Sequence, residues 1–151
     1  MNAKKPVKIA LIGTAIFLVV VTCGLGYCRW KIQTTLDECC KIAQAEHPHP
    51  GDDVAAMMEF VQSESHSLKD RNLMVWALGQ ARDSRALQVL ESFYTGGKCD
   101  HSRCLCQREL EKAIKLCRGE TPNILSIKTP KASNAPLPET ARKLAPPEPD
   151  R

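Results

Sequence analysis

From Ile9 to Cys28 the chain runs for twenty residues without a charge, between Lys4, Lys5 and Lys8 on one side and Arg29 and Lys31 on the other. At helical rise, ~20 apolar residues match the hydrocarbon thickness of a bilayer. The centre, Ile16-Phe17-Leu18-Val19-Val20-Val21, is rich in β-branched residues. In lipid every backbone polar group has to be satisfied within the segment, so helix prevails over strand there. The reading is an uncleaved signal-anchor over 9–28 behind a basic flank, residues 1–8, because the run exceeds the usual length of a signal-peptide core. Two alternatives stay open. Gly24-Leu25-Gly26 offers small residues at a cleavage site, and Val20-Val21-Thr22-Cys23 is similar to a lipobox, with Thr22 where that motif takes a smaller residue. The three lysines before the run favour a cytoplasmic N-terminus. All three readings export residues 28–151, to the periplasm or the cell exterior.

The formal charge of +4 comes from the ends of the chain. Residues 1–27 carry +3 and residues 119–151 carry +1, while 28–118 balance 13 basic against 13 acidic side chains. Nucleic-acid binding needs clustered Lys and Arg to neutralise phosphates, and the central part has no such excess. Residues 122–151 hold seven of the ten prolines, no glycine and no aromatic residue. A segment of that composition buries too little apolar surface to offset its ordering entropy, so 119–151 reads as a disordered Pro-rich tail.

Between these ends, residues 29–118 read as all-α. Apolar residues recur at helical spacing in five stretches. These are Leu36, Cys39, Cys40 and Ala43 within 34–45; Val54, Met57, Met58 and Val61 within 54–62; Leu73, Trp76, Ala77 and Gln80 within 68–81; Ala86, Val89, Leu90 and Phe93 within 85–94; and Cys106, Leu110, Ala113, Ile114 and Cys117 within 102–117. Asp53, Ser67, Asp83 and Ser102 stand at expected N-caps. A shift of 37 residues aligns Leu36 with Leu73 and Leu110, and Arg71 with Arg108; a shift of 32 aligns Met57-Met58 with Val89-Leu90. The expectation is a short α-solenoid of about two and a half helical hairpins.

Residues Arg71, Ala77-Leu78-Gly79 and Asp83-Ser84-Arg85-Ala86-Leu87 resemble the HEAT-like repeats of the phycobilin-lyase type. The resemblance spans about Lys69 to Thr95. It implies a scaffold or partner-binding surface, a helix C-terminus at Gly79, and an Asp83 that caps the next helix and meets Arg71 or Arg108 in a stacked ladder. The stretch Lys98 to Cys104 is an insertion where that family has a plain turn.

Six of the eight cysteines, 39, 40, 99, 104, 106 and 117, lie beyond the apolar run. In an exported domain a Cys99–Cys104 disulfide would pin the inserted loop to the start of the following helix. Cys106 and Cys117 share a face but stand ~16 Å apart along a helix, so they cannot bridge one another. The cluster Cys99, His101, Cys104 and Cys106 has the donor count of a zinc site, against which Cys104 and Cys106 would fall on opposite sides of a helix beginning at Ser102. His47-Pro48-His49-Pro50 reads as a stiff connection, Asp52-Asp53 as a helix start, and Trp76 with Met57-Met58 as packing. No catalytic constellation, phosphate loop or cofactor motif is present, and no enzyme is expected. The expected role is a membrane-anchored HEAT-like scaffold for protein partners in a membrane or envelope complex, with the bilayer contacted through 9–28. The alternatives are a bilin-type prosthetic-group lyase and a zinc or redox sensor built on Cys99 to Cys106.

Overall fold

A computed structural model describes residues 4–122 and 127–130, with side chains of the first helix from Ile12 onward. Five helices and no strand occur among the described residues: α1 (Lys4–Glu46), α2 (Asp53–Gln62), α3 (Leu68–Ala81), α4 (Ala86–Phe93) and α5 (Gln107–Cys117). The all-α expectation holds.

The apolar run and the first helix of the folded part are one element. Residues 27–46 contain neither Gly nor Pro. The Thr34 and Thr35 hydroxyls donate to the carbonyls of Trp30 and Lys31, at 2.9 and 3.0 Å, so they bond back into the same helix. From residue 12 to residue 31 the side chains of α1 are exposed, whereas its second half buries Leu36, Cys39 and Ala43. Residues 12–46 include a window apolar enough to cross a membrane, none of it buried against the rest of the chain.

Local signals set the other helices. Asp52, one residue before the expected cap, accepts from the Ala55 N–H at 3.1 Å and starts α2. Ser67 caps α3 as expected, accepting from the Asp70 N–H. Helix α3 runs through Gly79 to Ala81 and ends on Arg82, whose φ of +56° is left-handed. The glycine therefore serves close packing, not termination. A Cβ built on Gly79 would sit 2.9 Å from the Ala113 Cα on α5. Before α4, the Asp83 carboxylate accepts from the Arg85 N–H at 2.9 Å.

Helices adjacent in sequence pack on one another except α3 and α4; α3 packs closely on α5 as well as on α2, α1 also touches α3, and α2 touches α4. Leu36, Met57, Met58, Met74, Leu78, Leu90 and Leu110 fill the centre of the core. Four stripes face inward as the spacing implies. On α3 the face is rotated: Met74, Val75, Ala77, Leu78 and Ala81 are buried, Trp76 and Gln80 are half-buried, and Leu73 remains 40% exposed. Of the Pro-rich tail, only 121–122 and 127–130 fall among the described residues beyond Glu120; the Lys128 N–H donates to Gln33 Oε1 on α1 at 3.0 Å, and Ile127 packs on the core. The remainder of the segment read as disordered, and residues 1–3, lie outside the described residues.

Candidate functional site

The loop between α4 and α5, residues 94–106, carries the most chemistry. Two polar side chains fix it. Gln107, buried at the first turn of α5, donates through Nε2 to the carbonyls of Phe93 and Leu105 and accepts through Oε1 from the Thr95 N–H at 2.8 Å. One amide thus ties both ends of the loop together. Asn72 of α3 accepts from the Cys106 N–H at 2.8 Å. The helix begins at Gln107 instead of Ser102, with Cys106 as its N-cap residue. Asp100 explains the delay: its carboxylate accepts from the Ser102 N–H and hydroxyl, and its carbonyl accepts from Arg103 and Cys104, so residues 100–104 close a turn of their own.

This start removes the helical separation of Cys104 from Cys106. Cys99 Sγ lies 3.6 Å from Cys106 Sγ, and the thiols of Cys99 and Cys106 and the ring of His101 each offer a donor atom within 4.8 Å of the others. Cys104 Sγ donates to the Asp100 carbonyl at 3.3 Å. The thiol beside Cys99 is Cys106, whereas the disulfide expected from the sequence pairs Cys99 with Cys104. The Cys99 thiol is held below its ordinary pKa, first by the Arg108 backbone N–H and then by Cys106 and the Gln107 N–H at the start of α5. Burial has the opposite effect on the core thiols, pushing Cys39 up to about 11 and Cys117 up to about 12.

The repeat-motif residues form a different arrangement from the ladder the resemblance implies. Arg71, buried, donates through Nε to the Val61 carbonyl at 2.8 Å and lies over the Phe93 ring, 5.5 Å from its centroid. Asp83 pairs with Arg85, whose guanidinium also reaches Asp52 at 2.8 Å. Arg85 therefore joins the start of α4 to the cap of α2. Hydrogen bonds to Asp52 and Asp83 hold it well above its usual pKa. Arg108 is exposed, and Ala77, Leu78 and Gly79 are buried in the α3 face.

A second cluster escaped the sequence reading. The α1 end and the α2–α3 connection bring His47 and His66 together, Nε2 to Nε2 at 2.9 Å. His66 stacks on Phe60 with centroids 3.6 Å apart. Carboxylates face the outer nitrogens: Glu59 lies 3.5 Å from His47 Nδ1 and 3.0 Å from His49 Nε2, and Glu46 lies 3.4 Å from His66 Nδ1. An N···N contact of that length requires a proton between the rings. Gln44 steadies the loop, accepting from the His49 N–H and donating to its carbonyl. The legible signal was a Pro-flanked His pair with a further His just beyond the next helix.

A third feature is apolar. Leu73 and Trp76 of α3, with Lys31, Ile32 and Thr35 of α1, line an open groove of about 380 Å³. It lies one helical turn beyond Tyr27 and Trp30, whose rings sit 5.9 Å apart at the end of the apolar run. No protein-family model, curated protein or solved structure matches the chain.

Proposed function

We propose that the protein is a single-pass, membrane-anchored helical-repeat scaffold whose folded part, outside the cytoplasm, binds a protein partner in a membrane or envelope complex. The observation that carries this reading is α1 itself, in which an apolar span continues without a break into a helix contributing Leu36, Cys39 and Ala43 to the core. Tyr27 and Trp30 suit the interfacial belt where amphipathic rings settle. The pairing of α1 with α3, α3 with α5 and α2 with α4 supports a short HEAT-like solenoid, since next-but-one helices stack in such arrays. The apolar groove beside Trp76 offers a contact point for a partner at the end of α1 nearest the apolar span. The lysines ahead of the span support export of the folded part.

The test places a photo-crosslinking amino acid at Leu73 in the full chain and irradiates intact membranes. A discrete protein adduct that disappears with Trp76→Asp is expected. Adducts to lipid alone would sink the scaffold reading, and protection of the folded part from an impermeant thiol reagent in intact, reductant-treated cells would sink the topology.

A further inference from the structure

We infer that Cys99, Cys106 and His101 form a binding site for one Zn²⁺ ion, with solvent in the fourth position. The site goes beyond the scaffold reading and stands independently of it. Three observations carry it.

The first is spacing. Two thiolates bound to zinc at ~2.3 Å in tetrahedral geometry stand about 3.8 Å apart. Cys99 Sγ and Cys106 Sγ stand 3.6 Å apart. The His101 donor is within 4.8 Å of both, and about 1 Å of ring movement in an exposed turn brings it to a bonding position.

The second is electrostatic. Zinc takes thiolates, and the thiolate has to be stabilised where it forms. Cys99 Sγ lies 3.6 Å from Cys106 Sγ at the N-terminus of α5, where the helix favours negative charge. Cys106 is itself the N-cap residue of that helix. On binding, each thiol gives up its proton to solvent as its sulfur bonds the metal, so no oxidant is required.

The third is support. Cys106 is placed by Asn72 from α3, and the loop carrying Cys99 and His101 is closed by the buried Gln107 amide. Partners of this kind hold ligands in place before the ion arrives. Cys104 is turned onto the Asp100 carbonyl and is not a ligand.

The experiment titrates the reduced full chain in detergent micelles with Co²⁺ as a spectroscopic stand-in for Zn²⁺, then displaces it with Zn²⁺. The expected result is one ion per chain, with a thiolate-to-cobalt charge-transfer band that zinc removes and that fades as pH falls and the thiolates protonate. Cys99→Ser and Cys106→Ser should each abolish the band, whereas Cys104→Ser should keep it. His101→Ala, an exposed change without consequence for the core, should weaken cobalt binding at least tenfold with unchanged helicity. His47→Ala controls for the separate imidazole pair and should leave the thiolate band in place. Loss of the band in Cys104→Ser would overturn the ligand set. Protein isolated metal-free with a Cys99–Cys106 disulfide, or cobalt bound without a thiolate band, would overturn the site.

Discussion

Single residues decide how closely the helices approach. Gly79 has ordinary helical geometry in the interior of α3, where glycine is a poor helix former, yet it lies where α3 and α5 nearly touch. Gly79→Ala gains about 1 kcal/mol of helix propensity. It also drives a methyl to within 2.9 Å of Ala113 Cα, a backbone atom that cannot yield without moving α5. Overpacking of this kind costs about 1–3 kcal/mol, so the variant should lose about 1 kcal/mol net in denaturant titration. A gain in stability would mean that the two helices are not held at this separation. Arg85 acts over a longer range, since its guanidinium bridges Asp52 and Asp83 from two helix starts.

At the scale of elements, continuity of α1 is the main fact. Amides of residues 27–35 should exchange as slowly as those of 36–44 in micelles, because no Gly or Pro interrupts them. Gln33→Pro should speed exchange locally over 29–34 while α2 to α5 stay protected. Rapid exchange across 27–35 in the unaltered chain would show a hinge in place of a continuous helix. Much of this layer was legible. The stripes of α2, α4 and α5 and the Ser67 cap follow from spacing and capping chemistry alone. The α3 face was misread because Leu73 and Trp76 are apolar but line the open groove, and periodicity cannot tell a core stripe from a neighbouring exposed one. The start of α5 was misplaced because Ser102 satisfies cap chemistry equally well in the Asp100 turn. The Cys99–Cys106 proximity was hidden behind that misplacement. Neither Gln107 nor Asn72 carries a sequence signal, because their roles depend on partners 12 to 34 residues away.

For the whole molecule, buried thiols make stability depend on alkaline pH. Burial raises Cys39 to about 11 and Cys40 and Cys117 to about 12, and in each case the protonated thiol is the form the fold accommodates. An unfolded thiol ionises near ~8.5. The unfolded chain therefore releases these protons first, and stability is full below that value and declines as pH rises towards 11–12. The thermal midpoint should fall with increasing pH from about 9 upward, and Cys117→Ala should flatten the slope. An identical slope in that variant would show that Cys117 stays ionisable in the fold.

The unbroken α1 also fixes a distance. With 9–28 in the bilayer as proposed, residues 29–46 rise ~27 Å above it. The groove at Leu73 and Trp76 then stands near the base of this post, and the histidine cluster stands at its top. A rigid post of fixed height does not sweep a volume as a tethered domain does. It offers each surface at one level above the membrane, so any partner at the groove has to meet it there, in the plane of the headgroups.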